Sequence, residues 1–163
     1  MKLHGELYHG STRGEINYMK KMSETAEEVM YDRFGKYSVI SLATCSGNVP
    51  YVRSVNSFYE DGAFYVLTHA MSNKMKHIAE NPIVAISGEW FTAHGKGESL
   101  GYFGKEENQT IAEKMREVFA EWMDNGHNNF DDTNTIILRV VLTEGVLFSH
   151  GIRYDIDFES RKE

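Results

Sequence analysis

Apolar residues first fall into a helical period at Ala26, Val29, Met30 and Phe34, one face of an amphipathic helix that Gly35 ends. Thr25 and Glu28 stand at capping-box spacing at its start. From Lys36 the pattern changes to strands. Residues 37–44 and 51–59 are rich in β-formers, and Ser46-Gly47-Asn48 is turn chemistry between them. Asp61-Gly62 turns the chain into a third strand over 63–68. A short helix is expected over 72–80, closed by Asn81-Pro82. A fourth strand begins at 83–87 and continues past a bend at Gly88 through 91–98. Ile111, Met115, Val118, Phe119 and Trp122 place the longest helix over 105–124, packed on the sheet, before Asn125-Gly126. A long closing strand over 135–148, interrupted near Glu144-Gly145, completes about six strands and three helices. Strands joined mainly by turns, with helices inserted, predict an α+β chain built on an antiparallel barrel rather than a doubly wound sheet.

With 163 residues this pattern makes one domain. Residues 1–17 show neither period and are expected to be a flexible arm or a cloning remnant, which leaves 18–163 as the folded unit. A formal charge of −7 argues against nucleic acid as a partner, because phosphate-backbone binders present a basic face. Cys45 is the one cysteine, and no run approaches the roughly 18 apolar residues of a spanning helix. A reducing, cytoplasmic setting without membrane insertion is therefore expected.

Candidate chemistry concentrates in Thr68-His69-Ala70-Met71-Ser72-Asn73-Lys74, where a strand ends and a helix begins. A helix start offers unpaired N–H groups and the positive end of the dipole. Ser72 is the natural N-cap, Thr68 adds a hydroxyl and Lys74 a full charge, a set that suits a phosphate ester. The same residues also fit an ordinary capped helix with a solvated lysine. Arg53, in the middle of a strand, needs either solvent or an anion.

In order along the chain, Asn48-Val-Pro-Tyr-Val-Arg53-Ser-Val, Phe64-Tyr-Val-Leu-Thr68, Ser72-Asn-Lys74 and Ile78-Ala-Glu-Asn81-Pro82-Ile-Val-Ala85 resemble the pyridoxamine 5′-phosphate oxidase-like family. The resemblance covers about residues 23 to 150. It implies an antiparallel split barrel that binds FMN (flavin mononucleotide) at a homodimer interface. By analogy Arg53 and Lys74 pair with the phosphate, and Thr68 and Ser72 give it hydroxyl hydrogen bonds. Leu67 and the backbone of Ser54, Val55 and Asn56 line the ring, and Trp90, on the strand after Asn81-Pro82, reaches it across the dimer. The implied activity is an oxidoreductase fed by a reduced nicotinamide or a substrate. Asn73 stands where the phosphate-forming oxidases carry a second arginine, and the 153–163 segment lacks their basic signature. The resemblance is therefore closer to the shorter general-stress and nitroimidazole-resistance relatives than to a true pyridoxamine-phosphate oxidase. Alternatives on the same fold are a non-catalytic flavin, deazaflavin or haem carrier, and a scaffold with an empty pocket.

No metal site is expected, since His4, His9, His69, His77, His94, His127 and His150 show no close helical pairing. His69 and His94 are candidate proton donors near the flavin edge, or plain surface residues. No nucleophile elbow is present, and Gly95-Lys-Gly97 reads as a strand bend rather than a phosphate loop.

Overall fold

A computed structural model describes residues 25–123, 125–126 and 128–160. The expected arm over 1–17 lies outside them. Helix α1 (residues 25–34) is followed by β1 (Ser38–Ser46), β2 (Val49–Glu60), β3 (Ala63–His69), α2 (Asn73–Glu80), β4 (Ile83–Gly88), β5 (Phe91–Tyr102), a 3-10 turn (Glu106–Asn108), α3 (Gln109–Val118), α4 (Ala120–Met123), β6 (Thr135–Ser149) and β7 (Ile152–Asp157). The strands run β3-β2-β1-β4-β5-β6-β7, all antiparallel, and a β3–β6 pairing closes the first six into a barrel. The antiparallel split barrel with added helices is thus observed.

The barrel interior follows strand alternation. Ile40 and Leu42 of β1, Phe64 and Val66 of β3, and Leu138 and Val140 of β6 point inward and are buried. Helix α1 closes one end with Ala26, Met30 and Phe34, the face its period predicts. Thr25 is already helical, so it is not the cap of that helix. Arg33 fastens α1 across this end by donating to the carbonyls of Glu89 and Phe148. Helix α2 spans the opposite end, burying Met75 and Ile78. A second apolar cluster lies outside the barrel, where Ala112, Met115, Phe119 and Met123 cover Phe58 and Ile137.

Several expectations change. The expected fourth strand is a hairpin: Ile83 pairs with Lys96 and Gly88 with Phe91, and Glu89-Trp90 is the turn. Trp90 therefore sits in that turn, at φ 51 and 70% exposed, rather than on a strand. The helix expected over 105–124 breaks at Phe119 (φ −101, ψ 17), whose ring is fully buried against Phe58 and Trp122. The closing strand is continuous, with its register shifting between His94 and Gly95 opposite Thr143. A Cβ on Gly95 would stand 2.7 Å from the Val141 carbonyl oxygen, so the bulge requires glycine. Strand β7 was not anticipated; it extends the sheet beyond the barrel from the second half of β6.

The opening between β2 and β3 matters most for function. Their pairing covers only Phe58–Glu60 with Ala63–Tyr65. Among the described residues the rest of β2, residues 49–57, is bonded to β1 alone, which leaves an open strand edge.

Candidate functional site

At the α2 end of the barrel, strand register brings Arg53 of β2 opposite Leu42 of β1. Partners in register share a face, so the Arg53 side chain leaves β2 on the side of the barrel interior, where it is half-buried. Its Nη1 donates to Thr44 Oγ1 at 2.7 Å and to the Leu42 carbonyl at 3.2 Å. Thr44 is 1% exposed, and its Oγ1 lies 2.8 Å from His77 Nδ1 on α2. The Tyr51 ring packs on His77 with centroids 4.9 Å apart.

Lys74, in the first turn of α2, donates to Thr68 Oγ1 at 2.8 Å. Burial, and then the neighbouring Arg53 charge, push the Lys74 amine below its usual pKa. Burial likewise lowers Arg53. No carboxylate lies within ion-pair distance of either cation among the described residues. Ser72 is the N-cap residue by position (φ −67, ψ 153), yet its hydroxyl makes no capping bond. Ser72 Oγ is buried and has no hydrogen-bond partner among the described residues. The Met75 and Lys76 amides bond the Ser72 carbonyl, which leaves the Asn73 and Lys74 amides at the start of α2 without an intrahelical acceptor.

Two like charges held near each other, a hydroxyl without a partner among the described residues and a helix start form a set of groups that could hold an anion. A phosphate ester fits each part: its oxygens accept from guanidinium, ammonium, hydroxyl and amide at once. Across the loop, His69 accepts from the Met71 amide at Nδ1 and meets Asp132 at 3.1 Å through Nε2. The Asn134 amide and then His69 hold the Asp132 carboxyl below its usual pKa. This brace joins the 68–74 loop to the segment before β6.

Of the residues expected in the site, Arg53, Thr68, Ser72 and Lys74 converge on this end. Ser54, Val55 and Asn56 lie on the open β2 edge; Val55 is buried, and Asn56 Oδ1 accepts from Tyr37. Leu67 takes the other face of β3 from Thr68 and packs with the outer apolar cluster. Trp90 stands beyond the six residues of β4, about 20 Å along the strand from α2. Thr44 and His77 were missed; the signal for His77 was its place one helical turn after Lys74.

A cleft of about 860 Å³ lies on the outer sheet face, lined by small residues such as Ala43, Ala85 and Ser87 and by His94 and Glu144, which approach to 3.3 Å. Another, of about 430 Å³, lies beside α3 near Tyr65 and Arg139. Neither is lined by the convergent cations, because both open on outer faces of the sheet. Among the described residues no His, Cys, Asp or Glu cluster could hold a metal, and no helix is long and apolar enough to cross a membrane.

The topology defines an antiparallel split barrel with added helices. The chain belongs to the pyridoxamine 5′-phosphate oxidase family, whose model matches residues 26–146. Solved structures agree at the level of fold. General stress protein 26 of Bacillus anthracis is 17% identical with a TM-score of 0.57, covering 74% of this chain and 91% of its own. An FAD-binding protein from Mesorhizobium loti is 16% identical at 0.58, covering 76% and 91%. A heme-binding protein from Mycobacterium smegmatis is 15% identical at 0.56, covering 77% of this chain and 55% of its own. No curated protein matches the chain in sequence.

Proposed function

We propose that this protein binds FMN and serves as an oxidoreductase of a kind other than pyridoxamine-phosphate oxidation. The observation that carries the reading is the Arg53–Lys74 pair, without a carboxylate, beside the orphaned Ser72 hydroxyl. Thr68 and the first amides of α2 complete the phosphate cradle. The ring lies along the open β2 edge, where roughly half of the amide and carbonyl groups face away from β1 and can meet its pyrimidine side. Ser54, Val55 and Asn56 contribute there, and Leu67 borders the gap from β3. A flavin so held supplies hydride and single-electron transfer, and the chain supplies binding and orientation. Asn73 is exposed at the start of α2, one cation fewer than a cradle with a second arginine would have.

The working unit in this reading is a homodimer. Val39, Val52 and Ile83 crowd the uncovered outer face of β1, β2 and β4, with Val52 71% exposed. A second copy would cover them and bring Trp90 toward the ring. Reduced nicotinamide is the electron donor to try first, and the cytoplasm the expected location.

Titration with FMN, riboflavin and FAD, followed by flavin fluorescence, tests the reading. FMN should bind tightest, and Arg53→Ala with Lys74→Ala should weaken it by about a hundredfold or more, since each charged hydrogen bond is worth roughly 1.5–3 kcal/mol. A protein that purifies with a Soret band, or affinity indifferent to both substitutions, would sink it.

A further inference from the structure

We infer that Thr44 and His77 are positioning residues that aim the Arg53 guanidinium at the flavin phosphate, and so set the preference for a phosphorylated flavin; this rests on the FMN reading above. An arginine in mid-strand has a long, mobile side chain, and using it as an anion clamp requires fixing it without cancelling its charge. A carboxylate would do the first and undo the second. Here the fixing acceptors are neutral, Thr44 Oγ1 at 2.7 Å and the Leu42 carbonyl at 3.2 Å. The Nε and Nη2 donors of Arg53 make no hydrogen bond among the described residues, which leaves the far side of the fork for a ligand.

Proton accounting extends the arrangement to His77. Guanidinium only donates, so Thr44 Oγ1 accepts from Arg53. Thr44 is buried, and its one hydroxyl proton needs an acceptor. His77 Nδ1, at 2.8 Å, is that acceptor. The His77 ring is then neutral with its proton on Nε2, seated against Tyr51. His77 lies one turn after Lys74, so the helix that carries the second cation also holds the support of the first. Moving α2 would move both.

FMN and riboflavin titrations of the wild type, Thr44→Val and Thr44→Ser test this, with melting curves to establish that each protein is folded. Valine keeps the shape and removes the acceptor, whereas serine keeps the hydroxyl. FMN affinity should fall about tenfold in Thr44→Val, the effect of misaligning one charged hydrogen bond. Riboflavin affinity should not change, and Thr44→Ser should restore FMN binding. Valine and serine variants that bind FMN like wild type would overturn the positioning role while leaving the phosphate site standing. A wild type that takes riboflavin as tightly as FMN would overturn the phosphate site, and this inference with it. Nitrogen NMR of the apoprotein gives a ligand-free arm: an unprotonated His77 Nδ1 supports the relay, and a protonated one overturns it.

Discussion

Positive charge is treated in opposite ways at the α2 end of the barrel and along its β5–β6 flank. On the flank, Arg139 meets Glu98, Arg116 lies over the Phe103 and Phe130 rings, and Lys105 reaches Glu107. Burial alone would lower the Arg139 pKa, but its bonds to Glu98 and Tyr65 carry it above the usual value. At the α2 end, Arg53 and Lys74 have only neutral acceptors, and both are pushed down. In a chain with a net charge of −7, carboxylates are not scarce. Their absence around these two cations among the described residues costs some stability, and it is the feature on which the proposed phosphate site rests.

The largest effect should come from moving the helix that makes this difference. A Cβ on Gly97 would stand 2.9 Å from Ile78 Cδ1 and 3.1 Å from its Cγ2. Gly97→Ala should push α2 outward, costing about 1–3 kcal/mol as overpacking does. FMN affinity should fall too, because Lys74 and His77 move with the helix. Adding Ile78→Val removes the nearest methyl and should recover part of both losses, read by urea melts and flavin titration in a double-mutant cycle. Full additivity would show that the two residues are not in contact.

The barrel was legible where local pattern and tertiary need agree. Asp61-Gly62 adopts positive φ at both residues (45 and 78), as a two-residue hairpin turn demands. Glu89-Trp90 has no such chemistry, so the β4–β5 hairpin read as one bent strand. Strand β7 did leave a signal: Ile152, Tyr154 and Ile156 alternate with charged residues after a His150-Gly151 turn at φ 51 and 74. The β3–β6 closure left none, because pairing between distant segments has no local trace. The site followed the same rule. Arg53, Thr68, Ser72 and Lys74 announce an anion by residue type, whereas Thr44 is an ordinary strand threonine until the register of β1 on β2 sets it beside Arg53.

A smaller effect separates the two cation regions by pH. Because the Lys74 pKa is lowered on folding, the unfolded chain holds that proton more tightly. Below the folded value the charged lysine costs stability in full. That cost is relieved as pH rises from the lowered pKa toward the ordinary lysine value of about 10.4. Lys74→Met should stabilise the apoprotein at neutral pH by roughly 0.5–1 kcal/mol, as relief of functional strain commonly does. The gap between variant and wild type should shrink across that alkaline window. FMN affinity runs the other way, falling in wild type as Lys74 loses its charge. A variant less stable than wild type at pH 7 would mean that Lys74 is a structural residue.

The smallest effect supplies the opposite sign. Arg139 and Glu98 are 37% and 46% exposed at their side chains, so the pair is worth what surface pairs are worth, about 0.2–1 kcal/mol. Arg139→Ala should cost that much and no more, and salt should erase most of the difference. It should leave FMN affinity untouched, since Arg139 faces the α3 flank and not the α2 end. Removing a paired cation thus weakens the fold, whereas removing an unpaired one strengthens it. An Arg139→Ala protein that lost FMN instead would place the cofactor beside α3, in the cleft that Arg139 lines, and would shift the assignment away from Arg53 and Lys74.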